Sequence, residues 1–290
     1  MTSPSTVSER VCWLIDSYML DLAEDRGCGS IAEAVSRLGM EVCVASSSDS
    51  PRPSPVLPEW NDRCVVLYGS FRFVRQVQRA SPIAFCPGAF ADISNLSYAA
   101  FGSRLGHLLL NDDFVILPFG EFRRRGLAPW GDRCFLRPSA VTKSFTGVVV
   151  ASDDFELEMN SLEKLQHVMP DDLVVAARAR EIERETRFVI VDGQVVSGST
   201  YGWNGNGDIG HPIDDASRDL AREVASNPWQ ADRAYTCDVA LVRDGGRLAA
   251  RLLELNSFSC ASLYACDLDK VVGAVSAAAL DEWRQCYGVV

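Results

Sequence analysis

Two apolar runs, 235–243 and 248–256, flank Asp244-Gly245-Gly246 and read as the arms of one hairpin. They constrain the chain more than any other stretch, because oxygen-bearing side chains interrupt strands that are otherwise apolar. Positions two apart in a strand share a face, so Glu254 and Asn256 point one way and Leu253 and Leu255 the other. Asp238 lies on the opposite arm, flanked by Val239 and Leu241. On the same side, it would complete a patch of two carboxylates and one amide. Burying such carboxylates unpaired costs several kcal/mol. The patch is therefore either the solvated face of a hairpin or a site for a hard divalent cation such as Mg2+, shared with phosphates. The apolar flanks weigh against the first.

Upstream the texture differs. Strands at 11–18, 40–45, 64–69 and 82–86 alternate with helices at 30–39 and 71–79, which points to a small parallel α/β layer. Ser30 and Gly39 bracket the first helix as cap and stop. The Ser- and Pro-rich segment 46–59 reads as a connector. A helix over 95–109 and a strand over 114–118 follow. Strands at 134–137 and 146–151, a helix at 161–168 and a strand at 173–178 come next. Val191-Asp192-Gly193-Gln194 suits a type I′ turn between two further strands. Helices at 215–226 and 268–285 complete the set. The fold class is α+β, with the βα layer first and antiparallel sheets after it.

Several function classes fall away. The 290 residues contain no apolar run of the roughly 18 that a spanning helix needs, so no membrane partner is expected. The first ten residues lack a signal-peptide pattern, which suggests a cytoplasmic protein. A net charge of −11 disfavours wrapping nucleic acid. The one dense basic run, Arg123-Arg124-Arg125, reads as a solvated loop. Ten scattered cysteines read as reduced core residues, and three distant histidines argue against a zinc site. Gly205-Asn-Gly-Asp-Ile-Gly210 matches GxGxxG, but a hairpin precedes it and His211-Pro212 follows, so it reads as a flexible loop.

Three groups of cations and acids remain. Arg137 ends a short strand and Lys143 sits in a turn closing on Gly147; they are either exposed charges or a polyphosphate grip. Glu185 and Arg187 share a strand face leading into apolar Val189-Ile190-Val191. An arginine entering a buried strand needs an anion, either Glu185 or a phosphate.

Together, Phe-Leu-Arg-Pro with Lys-Ser-Phe-Thr-Gly, Glu-Thr-Arg-Phe-Val-Ile-Val-Asp-Gly, and Cys-Asp-Val-Ala with Leu-Glu-Leu-Asn-Ser-Phe-Ser resemble the ATP-grasp superfamily. The resemblance is to its bacterial and phage branch with arginine at the first phosphate-binding lysine position, and covers about 60–290. It implies an N-terminal α/β domain at 1–110, a lid subdomain at 111–178 and a C-terminal subdomain at 179–290, with antiparallel sheets clamping ATP. It also implies roles. Arg137 and Lys143 would contact the α/β-phosphates. The backbone of Ala176, Ala177 and Arg178 would read adenine from a strand edge, and Glu181 or Glu183 would sit near the ribose. Arg187 would face the γ-phosphate, and Asp238, Glu254 and Asn256 would hold magnesium. The activity implied is an ATP- and Mg2+-dependent joining of a small-molecule carboxylate to an amine, amino acids among the candidates, through an acyl phosphate. A nucleotide-binding regulatory or scaffold module, or a modifier of a macromolecular end, would use the same fold. Tyr201 lines the substrate cleft by position. No role falls to Cys260, and no motif fixes an oligomeric state.

Overall fold

The computed structural model describes residues 11–46, 60, 63–80, 85–142, 144–203, 206–244 and 246–288. Its first layer is a parallel sheet of β1 (Val11–Asp16), β2 (Glu41–Ala45), β3 (Cys64–Tyr68) and β4 (Cys86–Gly88), in the order β2-β1-β3-β4. β1 and β3 are buried at every position, as the apolar runs require. β1 is shorter than the expected 11–18. The Asp16 carboxylate accepts from the Tyr18 N–H and caps α1 (Ser17–Asp25), so the chain turns helical where the residues look strand-like. α2 (Ile31–Arg37) has its Ser30 cap, and Gly39 follows at φ +75°. Most of the 46–59 connector and most of the 82–86 strand lie outside the described residues. Beyond β3, α3 (Phe71–Ala80) begins after Gly69. A Cβ on Gly69 would lie 2.6 Å from Asp16 Cβ, so only glycine lets the backbone come this close. The Gly69 N–H donates to the Ser259 carbonyl, tying this layer to the distal hairpin.

The middle layer is an antiparallel sheet of β5 (Val115–Pro118), β6 (Arg133–Pro138), β7 (Val148–Ala151) and β8 (Leu173–Arg178), ordered β5-β8-β6-β7. α4 (Tyr98–Leu105), followed by a short 3-10 turn, leads into it and is shorter than the expected 95–109. α5 (Phe119–Arg125) and α6 (Phe155–Leu165) cover one face through Phe119, Phe122, Met159 and Leu162. Two expectations are corrected here. The helix predicted at 161–168 starts earlier, since Phe155, Met159 and Leu162 share one side, and it ends before His167 at φ +55°. The arginine run is helix, not loop: Glu121 pairs with Arg124 and Arg125 at 2.6 and 2.7 Å, and Arg123 with Glu156 and Glu163.

The third layer is a five-stranded antiparallel sheet of β9 (Ile182–Val191), β10 (Gln194–Trp203), β11 (Asn206–Gly207), β12 (Ala234–Asp244) and β13 (Arg247–Ser257), ordered β11-β10-β9-β12-β13. Asp192 and Gly193, at φ +46° and +71°, make the β9–β10 turn with the two positive φ values of type I′. The described part of the GxGxxG segment is not simply loop. Asn206–Gly207 pairs antiparallel with Gly202–Trp203, which is no setting for a dinucleotide fingerprint.

One face of this sheet packs Phe188, Ile190, Cys237, Leu252 and Leu255 against α7 (Asp215–Ala225). On the other, Val189, Val191 and Ala234 join Val271, Val275 and Ala278 of α8 (Leu268–Tyr287) and Trp13 and Val66 of the parallel sheet in one core. Trp13 Nε1 donates to Ser276 Oγ inside it, at 3.0 Å. All ten cysteines are free. Among the described residues, no helix is long and apolar enough to cross a membrane.

Candidate active site

Arg187, Asp238 and Glu254 stand side by side on β9, β12 and β13, since Asp238 is in register with both of the others. The Arg187 guanidinium donates from Nε to Asp238 Oδ1 at 2.8 Å and from its terminal nitrogen to Oδ2 at 2.7 Å. Its other terminal nitrogen donates to the Ser262 carbonyl at 2.9 Å. The partner open from sequence, Glu185 or a phosphate, is thus Asp238 in the ligand-free protein. Asn256 Nδ2 links the two acids, donating to Asp238 at 3.2 Å and Glu254 at 2.9 Å. Arg137 reaches from β6 and pairs with Glu254 at 2.6 Å. The two cations, two carboxylates and amide form one buried network, with no residue above 9% exposure.

A bulge makes this possible. Register slips between Asp238 and Val239, so Glu254 pairs with Asp238 but Leu252 with Val239. Leu255 goes to the α7 side as expected, whereas Leu253 does not: it packs with Ala240 and Val242 on the strand face of Asp238. Strict alternation fails at the extra residue. Sheet contact follows at the β13 edge, where the Leu110 N–H donates to the Leu252 carbonyl at 2.8 Å and brings Arg137 within reach.

Aromatic rings complete the surroundings. Arg137 lies over the Tyr98 ring, 5.4 Å from its centroid. Arg187 lies over Tyr201 and Tyr264 at 5.5 and 5.2 Å, and those two rings stack at 4.8 Å. Burial opposes the charge on Arg187, yet the Asp238 carboxylate raises its pKa well above the ordinary value, so it stays a cation. Burial likewise raises the Glu185 carboxyl, helped by the charges of Asp238 and Glu254 and opposed by a Tyr201 hydrogen bond. A cleft of about 280 Å3 opens on the network, walled by Arg187, Asn256, Thr142, Phe71, Arg26 and Tyr264. Its walls come from all three layers.

The other expected residues lie apart from the network or differ from expectation. Lys143 is outside the described residues. β8 is an interior strand, with Val115 and Leu136 both opposite Ala176. The edge expected at Ala176 to Arg178 therefore opens only at Ala177 and Arg178, past the end of β5. Arg178 is exposed and 3.5 Å from Asp113. Glu183 is ion-paired with Arg243. Glu181 lines a second groove of about 320 Å3, with Asp112, Arg180, Arg243 and Arg251. Tyr201 sits beneath Arg187, and Cys260 in the cleft wall has a thiol that burial pushes up to about 12, unsuited to nucleophilic work. Sequence reasoning missed Tyr264, Ser262 and Arg26. They follow strands or helices in irregular segments where no period marks them, and Tyr264 holds a left-handed φ of +51°.

Among the described residues no group of three His, Cys, Asp or Glu side chains could hold a metal, so any cation here depends on the amide and on a ligand as well. No curated protein sequence matches the chain. Among solved structures, its fold is similar to D-cycloserine synthetase DcsG, with TM-score 0.62 and 15% identity over 93% of this chain and 99% of that one. It is also similar to D-alanine–D-alanine ligase from Bacillus anthracis complexed with ATP, with TM-score 0.58 and 10% identity over 95% and 99%. A third is the ATP-grasp ligase PsnB complexed with minimal precursor, Mg and ADP, with TM-score 0.51 and 15% identity over 98% and 99%. Residues 118–274, more than half of the chain, match the model of an ATP-grasp domain family, the second family of its clade. With three sheets in this arrangement and that match over the middle and distal layers, the chain belongs to the ATP-grasp family and has its fold.

Proposed function

We propose that the protein is an ATP-dependent carboxylate–amine ligase working through an acyl phosphate, with the Arg137–Glu254–Asn256–Asp238–Arg187 network as its phosphate and magnesium site. One observation carries this reading: charges taken from two sheets are buried and balanced at the wall of a cleft. A buried ion network is weak support for stability, so its placement there points to a ligand.

The donor set fits magnesium. Glu254 Oε1 and Asp238 Oδ2 converge on the same amide nitrogen, and turning the Asn256 amide would offer its oxygen beside theirs. Bound there, the ion would neutralise phosphate charge. The arginines released from Glu254 and Asp238 would then meet phosphate oxygens, with Arg187 toward the transferred phosphoryl group and Arg137 behind it. From Arg187, β9 runs four residues to Glu183, about 14 Å at strand rise, toward the groove of Ala179 and Glu181. The nucleoside would lie along that line.

Phosphoryl transfer to a carboxylate replaces oxide, a very poor leaving group, by phosphate. An amine then attacks the acyl carbon: the C–N bond forms, the C–O bond to phosphate breaks, and phosphate leaves with the electron pair while the amine proton passes to water. The stacked tyrosines and Phe71 would limit water access to the intermediate. The reading is tested by ADP release with carboxylates and amines offered in pairs, in wild type and Arg187→Ala. Release that depends on a carboxylate, and falls at least a hundredfold in the variant while ATP affinity falls less than tenfold, is the expected result. Nucleotide binding with no substrate-dependent turnover would favour a regulatory module instead.

A further inference from the structure

The cleft holds two arginines on one tyrosine ring, and only one of them has an acid. Arg187 is neutralised by Asp238. Arg26, at the C-terminal end of α1, lies 5.4 Å from the Tyr264 centroid and donates to Ser262 Oγ at 2.9 Å, both neutral partners. Among the described residues, no carboxylate is within ion-pair distance of Arg26. In a chain of net charge −11, an uncompensated guanidinium on a cleft wall is a local exception. Directly beside it, Leu22, Ala23, Ile31, Leu263 and Leu268 enclose a small apolar pocket with room of about 20 Å3, enough for one methyl-sized group. Arg26, Ser262 and Tyr264 wall both this pocket and the cleft, so the two spaces adjoin.

We propose that Arg26 and this pocket form the acceptor subsite, and that the acceptor amine is a small apolar α-amino acid such as alanine. The assignment rests on the ligase reading above. The unreacted carboxylate of the acceptor would take the open side of the Arg26 fork, where a bidentate pair is available. Its side chain would enter the apolar pocket. The amine would then face Arg187, on the side where the activated carboxyl group is held. Larger side chains do not fit the pocket, and an amine lacking the carboxylate leaves Arg26 unpaired. Ser262 would hold both arginines in place, its hydroxyl toward Arg26 and its carbonyl toward Arg187.

Calorimetry with alanine, alaninamide and glycine decides this, using the full chain loaded with magnesium and ADP. Alanine should bind wild type at least tenfold more tightly than alaninamide. Arg26→Ala should weaken alanine at least tenfold, to the level of alaninamide, with ADP affinity changed less than twofold and Arg26→Lys recovering part of the loss. Ala23→Leu, which fills the pocket from a partly exposed helix, should reverse the preference for alanine over glycine. Equal affinity for alanine and alaninamide, no effect of Arg26→Ala, or no amino-acid binding at all would each overturn the proposal. If ADP itself does not bind, the ligase reading falls, and titrating alanine into the nucleotide-free protein then decides the Arg26 assignment by the same criteria.

Discussion

Two ends of one strand face in the third layer are equally hidden from water and chemically opposite. At one end Val189, Val191 and Ala234 are at most 4% exposed, under α8 and the parallel sheet. At the other, Arg187, Asp238, Glu254 and Asn256 are at most 9% exposed. The apolar end follows from ordinary packing, at roughly 25 cal/mol per Å2 of buried surface. The charged end has no such account, since ions removed from water recover their hydration only through close pairing. The fold needs the first end, and the ligand needs the second.

The sharpest way to break this contrast is to unpair the charged end. Asp238→Ala should cost about 3–5 kcal/mol in urea unfolding, because Arg187 is left buried without its anion. The double variant Arg187→Met with Asp238→Leu should return to within about 1 kcal/mol of wild type, or exceed it, while turnover is lost. A double variant as unstable as the single one would mean that the ions hold the fold together.

Val189→Ala is the control at the apolar end. It should cost about 2 kcal/mol through lost burial and a residual cavity, and leave nucleotide affinity unchanged. A change in affinity would show that the two ends are mechanically coupled.

The same contrast explains what could be read in advance. Arg137, Arg187, Asp238, Glu254 and Asn256 were legible because strand periodicity makes a charge inside an apolar run conspicuous. The type I′ turn at Asp192-Gly193 was legible because few residues accept two positive φ values in succession. Leu253 was not, because a bulge shifts register without leaving a mark in composition. The start of α1 was missed because Asp16 is both the last residue of a strand and a helix cap. Which acid meets which arginine was also hidden, since partners 51 residues apart meet only through sheet order.

A subtler variant separates charge from shape. Arg137→Lys keeps the attraction to Glu254 but gives up the planar fork, which also donates to the Pro138 carbonyl at 3.4 Å. Nucleotide affinity should fall about fivefold to tenfold, near 1 kcal/mol, with unfolding stability changed by less than about 1 kcal/mol. Unchanged affinity would mean that only the charge at this position matters.

The smallest effect tests what happens to a buried acid that lacks a cation. Asp232, just before β12, is held by backbone N–H groups of Asp92 and Arg233 at 3.0 and 2.7 Å. Burial raises its carboxyl from 3.8 to about 6, although those two bonds pull the other way. Arg233 is turned to Asp192 and Asp281 instead. The folded protein thus holds this proton more tightly than the unfolded chain between pH 3.8 and about 6. Stability contributed by Asp232 must fall as pH rises through that window and level off above it. Asp232→Asn removes the titration, so urea unfolding free energies measured across the window should decline less steeply than in wild type. Loss of one backbone acceptor would shift the curve by a constant and leave the difference in slope as the readout. Parallel curves would show that Asp232 ionises as freely as a solvated acid, and that burial alone does not set the charge state in this protein.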